Sequence, residues 1–210
     1  MFLPSVASAQ DRQMQSELEK KLANQYAAIQ KQFRVPPRPP SDFVTGRPAL
    51  RREWQNELAH LFSEAAVTVE EILKLNPSNA ELWRERLETL RLYGQPTSSP
   101  GQRTIYGAGE VDKKAKLVDT PMADYTTEAR QANARDEVRL RLVLAGDGTI
   151  RSMFPIKSAG YGLTESAVIA AQQIKFEPAI RNGQPVSQFV TLVYEFNKKD
   201  AKPKIPPTVF

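Results

Sequence analysis

Residues 137–156 read Glu-Val-Arg-Leu-Arg-Leu-Val-Leu-Ala-Gly-Asp-Gly-Thr-Ile-Arg-Ser-Met-Phe-Pro-Ile. Val138, Leu140, Leu142 and Leu144 alternate with Glu137, Arg139, Arg141 and Val143, a period of two that gives a strand one apolar face. Ala145-Gly146-Asp147-Gly148 is turn chemistry, and a returning strand is predicted with Ile150, Phe154 and Ile156 inward. Upstream, Asp124-Tyr125-Thr126-Thr127-Glu128-Ala129-Arg130 offers a hydroxyl cap and a first-turn acid for a short helix to about Ala134. Downstream, Leu163, Ala167, Ala170, Ala171 and Ile174 fall on one helical face, and their small side chains predict close approach of that helix to a sheet. Phe176-Glu177-Pro178-Ala179 leaves the helix and Arg181-Asn182-Gly183-Gln184 turns the chain. A last strand, Gln188 to Phe196, then sets Val190, Leu192, Tyr194 and Phe196 inward. The order is helix, strand, strand, helix, strand, an α+β domain over 110–197.

The N-terminal half is helical. Leu18, Leu22, Tyr26, Ile29 and Phe33 form one stripe, ended by Val35-Pro36-Pro37. A second stripe runs from Leu50 to Leu75 through Trp54, Leu58, Leu61, Phe62, Ala65, Val69, Ile72 and Leu73. Asn76-Pro77 stops it, and Ser78-Asn79-Ala80-Glu81 reads as a capping box for a third helix with Trp83, Leu87 and Leu90 inward and Gly94 at its close. The stretch from Glu71 to Gly94 resembles the join between two tetratricopeptide repeats. A solenoid needs about three such units, so a single hairpin over 10–94, covered by the first helix or by the next domain, is expected. Residues 95–109 read as a linker and 198–210 as a basic, proline-rich tail.

Composition narrows the chemistry. The 210 residues contain no cysteine and one histidine, which removes disulfides, thiolate catalysis and histidine- or cysteine-rich metal sites. His60 sits in a helical pattern and reads as a half-buried packing residue. Asp136 and Glu137 are neighbours along a strand start and are predicted to face opposite ways. No catalytic group emerges, and no cofactor is called for. The net charge is +5, but residues 1–100 carry 13 basic against 12 acidic side chains and 101–197 carry 12 against 11. The excess therefore lies in the tail, without the stripe and stacking aromatics that nucleic acid requires. No apolar run reaches the ~18 residues of a membrane span. Residues 1–9, ending Ala7-Ser8-Ala9, read as the end of a secretory signal peptide, with the mature chain starting at Gln10. Export without cysteine suits a bacterial periplasm.

The C-terminal pieces together resemble the C-terminal domain of TonB, the periplasmic energy transducer of Gram-negative bacteria. They are Tyr125 with Ala129-Arg130, Gly146-Asp147-Gly148, Gly162-Leu163, Phe176-Glu177-Pro178-Ala179 and Asn182-Gly183-Gln184-Pro185-Val186, with Gly109-Glu110-Val111-Asp112-Lys113-Lys114-Ala115 upstream. Two positions depart from the family: Asp136-Glu137 stands where glycine is usual, and Thr126 where proline often follows the tyrosine. The resemblance implies a three-stranded antiparallel sheet on two helices, with the hairpin's first strand central and Gln188–Phe196 at an edge. It implies that this edge accepts the TonB box of an outer-membrane receptor as an added strand. The partner-binding residues it marks are Gln188, Phe189, Val190, Thr191, Leu192, Val193, Tyr194, Glu195 and Phe196, with Thr191 and Val193 outward. Thr120, Pro121 and Met122 match the family segment that also touches the receptor. Cover of the edge by the chain's own linker or tail is the competing expectation. A complete transducer with a membrane anchor, or an envelope scaffold or enzyme built on the helical half, are the other functional readings. Oligomeric state is not legible.

Overall fold

The computed structural model describes residues 8–34, 48–95 and 105–205. The ends of the signal-peptide reading (1–7), the Val35-Pro36-Pro37 stop, most of the linker and residues 206–210 lie outside the described residues. The chain divides into two units, Met1–Thr97 and Ser98–Phe210.

In the first unit, α1 (Ala9–Arg34), α2 (Pro48–Lys74) and α3 (Ala80–Gly94) pack in sequence order. Ser8, which the sequence places in a cleavage site, caps α1. Its hydroxyl accepts the Asp11 N–H at 3.0 Å, and the Asp11 carboxylate accepts the Ser8 amide at 3.0 Å and hydroxyl at 2.7 Å. The Ser8 hydroxyl holds the Asp11 carboxyl below the usual carboxylate range. Leu22 and Ile29 are the buried members of the α1 stripe; α2 buries Phe62, Ala65, Ala66, Val69 and Ile72, and α3 buries Trp83, Leu87 and Leu90. Phe33 meets Trp54 edge to face at 5.9 Å, and the Trp54 indole N–H donates to the Gln32 carbonyl at 3.4 Å. The first helix thus supplies the hairpin's missing cover. The cap of α3 differs from expectation. Asn79 occupies the N-cap and makes no side-chain bond there, because Asn76 turns left-handed at φ 57° and helix geometry begins one residue later than a Ser78 cap requires. His60 is also not a packing residue: its side chain is 72% exposed, with Nδ1 3.7 Å from the Glu64 carboxylate.

The second unit contains β1 (Ile105–Tyr106), β2 (Lys116–Asp119), α4 (Thr127–Gln131), β3 (Arg135–Leu144), β4 (Ile150–Lys157), α5 (Leu163–Gln172), β5 (Lys175–Glu177), β6 (Ala179–Arg181), β7 (Gln184–Asn197) and β8 (Pro203–Lys204). The main sheet runs β1-β7-β3-β4, so β3 is central and antiparallel to β4 and β7, as the sequence implied. Together with α4 and α5 this is the expected α+β domain. Its core joins Val138, Leu140, Leu142 and Leu144 of β3 to Val190, Leu192, Tyr194 and Phe196 of β7, under Leu163, Ala167, Ala170 and Ala171 of α5 and Ala129 of α4. Ala167 and Ala171 are fully buried. Nothing larger fits between helix and sheet at native packing density.

Two hairpins set the register. Between β3 and β4, the Asp147 carboxylate accepts both the amide and the hydroxyl of Thr149 and pairs with Arg151, which lowers its pKa from the ordinary value, chiefly through the Thr149 hydroxyl. Between β6 and β7, Asn182 and Gly183 are both left-handed (φ 51° and 73°), the geometry that makes Asn-Gly a tight hairpin turn. Gly146 permits a close approach, since a Cβ there would lie 3.0 Å from the Pro185 carbonyl oxygen.

The sequence reading fails at β4. Register shifts interrupt its pairing with β3, and Ser152 takes φ 52°. The bulge sets Phe154 opposite Arg141 and Pro155 opposite Leu140. Paired residues share a face, so Phe154 lies on the side away from the helices, and Ile156, in the second shift, is likewise buried outside the main core. Strict alternation cannot register an inserted residue.

Candidate functional site

The site is built on the outer side of β7, the side away from β3. Ten consecutive residues of β7, Gln188 to Asn197, pair with β3. The other side is not simply open. At its start β1 runs parallel, Ile105 opposite Ser187 and Tyr106 opposite Gln188. Toward its end β8 runs antiparallel, Lys204 opposite Val193 and Pro203 opposite Tyr194. Between these two covers, Val190, Thr191 and Leu192 have no strand on that side among the described residues. The expected bare edge is therefore corrected to an edge clipped at two places by the chain itself. Both clips come from stretches the sequence read as linker and tail, where short proline-containing segments carry no strand periodicity.

The residues marked for partner binding divide sharply. Val190, Leu192, Tyr194 and Phe196 point into the core. Thr191 and Val193 were expected outward, yet they are only 5% and 4% exposed. They stand opposite Arg141 and Arg139, on a face that also holds buried Val143 and Phe154. The Arg141 guanidinium lies 5.1 Å from the Phe189 ring, so an apolar stem and a planar cation sit on this second apolar layer. What β7 offers outward is thus its main chain. Gln188 is 2% exposed and its side-chain oxygen accepts the Ala115 N–H at 2.8 Å. Glu195 is exposed and its carboxylate meets the Lys204 ammonium at 2.5 Å. Tyr194 is the odd member: its hydroxyl is buried with no hydrogen-bond partner among the described residues, and burial pushes its pKa above the ordinary tyrosine value.

Thr120, Pro121 and Met122 run ahead of the buried Tyr125. Thr120 and Pro121 are half-buried and Met122 is 52% exposed. Their position is fixed from both ends. Tyr125 places its hydroxyl 2.9 Å from the Ala129 carbonyl and 2.8 Å from that of Ala134, and Arg130 donates to the Tyr125 carbonyl at 3.0 Å. Thr126, standing where proline is usual, caps α4 by accepting the Ala129 N–H at 3.1 Å and donates to the Tyr161 carbonyl at 2.6 Å. On the other side, Ala123 and Ala201 form an antiparallel bridge. The tail thereby joins the 120–122 segment to β7, a relationship with no sequence signal beyond two alanines.

Asp136 and Glu137 share the Lys157 ammonium at 3.2 and 3.3 Å, and Glu137 also holds Arg139 at 2.8 Å. Lysine reach, not strand alternation, decides where these two carboxylates go. Among the described residues no helix is long and apolar enough to cross a membrane.

The C-terminal unit thus carries a central three-stranded antiparallel sheet on two helices, with main-chain groups at the outer side of its last strand. Residues 121–197 match the family model for the Gram-negative bacterial TonB protein C-terminal, a little over a third of the chain. The resemblance read from the sequence is thus supported over residues 121–197. No curated protein matches the chain.

Proposed function

We propose that the C-terminal unit is a periplasmic docking module that takes the TonB box of an outer-membrane TonB-dependent receptor as an extra strand on the outer side of β7, in support of transport across the outer membrane. The observation that carries this reading is the clipped edge. Val190 to Tyr194 are buried on both faces of β7, so side chains there have little to offer a partner, while the main chain of Val190–Leu192 carries no strand between the two clips among the described residues. Strand addition uses that resource: ladder hydrogen bonds give affinity, and alternate side chains of the incoming peptide give preference. Exposed Met122, with Thr120 and Pro121, supplies a second contact beside the added strand.

Backbone N-methylation of the peptide tests this directly. Synthetic TonB-box peptides, each methylated at one amide, are titrated into the full chain by calorimetry. Strand addition predicts a period of two, with methylation abolishing binding at amides that face β7 and tolerated at those between. Uniform tolerance along the peptide would rule out main-chain pairing.

A further inference from the structure

The two segments that the proposed docking requires, 120–122 and β7, are joined by the chain's own residues 200–204. Asp200 accepts the Tyr125 N–H at 2.7 Å. Ala201 bonds Ala123 in both directions, at 2.8 and 2.9 Å, and is 3% exposed. Three residues on, β8 pairs with Val193 and Tyr194, Pro203 is buried, and Lys204 reaches Glu195. A left-handed Lys198 (φ 60°) directs the chain back after β7. A sequence of four lysines and three prolines after Asn197 reads as a solvated tail; the structure gives it a bridge, a two-residue ladder and an ion pair instead.

We infer that β8, Pro203–Lys204, is a resident strand that regulates docking by competing with the incoming peptide for the outer side of β7. This rests on the strand-addition reading. A peptide pairing along Phe189–Phe196, clear of β1 at Gln188, meets β8 at Val193 and Tyr194 and must remove it. The resident strand is built to be removable. It has two paired residues, its proline contributes no amide donor, and its one ion pair joins side chains that are each more than half exposed, a weak and salt-screened interaction. Asp200 and Ala201 anchor the segment just before it, so a displaced β8 stays tethered close to the edge and returns when the peptide leaves. Competition of this kind multiplies the peptide's intrinsic affinity by the fraction of molecules whose edge is clear.

Affinity for one synthetic TonB-box peptide is measured with three chains: the full chain, a chain ending at Ala201 that keeps both anchors, and the full chain carrying Lys204→Glu, which sets two carboxylates against each other. Each is first checked for an unchanged thermal transition. A resident strand in place nine-tenths of the time predicts about tenfold tighter binding by the chain ending at Ala201, an intermediate gain for Lys204→Glu, and faster amide exchange at Val193 and Tyr194 in both without peptide. Equal affinity in all three, with peptide still perturbing β7, would overturn the competition while leaving strand addition intact. Absence of binding by all three would remove strand addition and the competition together. Lys204→Glu covers the case in which the shortened chain does not fold.

Discussion

Ala123 and Ala201, 78 positions apart, exchange both backbone hydrogen bonds, with N···O distances of 2.8 and 2.9 Å. This bridge makes the stretch after β7 part of the domain. It also places the 120–122 segment and the outer side of β7 under the control of one short piece of chain.

The anchor beside that bridge is testable. Asp200→Ala removes the acceptor of the part-buried Tyr125 amide, a charge-assisted bond of 2.7 Å. A loss of about 1.5–3 kcal/mol is expected, the usual size for a hydrogen bond to a charged group. Denaturant melts should show it, and amide exchange at Ala123, Tyr125 and Ala201 should rise above that of β3. Unchanged exchange at Ala201 would mean the bridge stands without its neighbour.

Tyr194 ties stability to alkaline pH. Burial keeps the phenol neutral in the folded state above the pH at which the unfolded chain releases its proton, near 10. Above that pH the unfolded state binds fewer protons than the folded state, so the contribution is complete below pH ~10 and is lost as pH rises beyond it. Tyr194→Phe removes a buried hydroxyl without a partner among the described residues. It should leave neutral-pH stability unchanged or raise it by up to about 1 kcal/mol. The stability difference between the two chains, followed by melts from pH 7 to 11, should widen in the variant's favour above pH ~10; a flat difference would contradict the burial argument.

The alanine face of α5 makes a steric prediction. Ala167 is fully buried over the sheet, and Ala167→Leu inserts three carbons into a filled layer. A destabilisation of about 1–3 kcal/mol is expected, with displaced resonances in α5, Leu140 and Leu192. Ile169 on the same helix is 57% exposed, and Ile169→Ala should cost little by the same melts. Equal effects at the two positions would show that the helix packs by another face.

The sequence carried the sheet because Val138 to Leu144 alternates cleanly and Asn182-Gly183 admits few other conformations. Tyr125 and the α5 alanines were legible for the same reason: local chemistry and final packing agree there. The rest depended on tertiary partners. A bulge at Ser152 moved Phe154 across the sheet, and alternation does not record bulges. Thr191 and Val193 looked outward because one polar-looking face implies solvent, yet arginine stems and Phe154 build a second layer over that face. Pairing of Ile105, Tyr106, Pro203 and Lys204 with β7 has no local signature. Two residues are too few to show a period, and each gains its strand geometry from β7. At the candidate site, the strand was readable and cover by linker or tail was the competing expectation, but the residues that provide the cover were not legible.

The most direct test of the account follows the amides of the isotope-labelled full chain during titration with TonB-box peptides. Strand addition to β7 predicts shifts concentrated on Gln188–Phe196, strongest at Val190–Leu192, joined by Thr120 and Met122, and by Ala201 and Lys204 as β8 is released. Shifts confined to the helical unit, or spread over β4 and α5 with β7 silent, would contradict it.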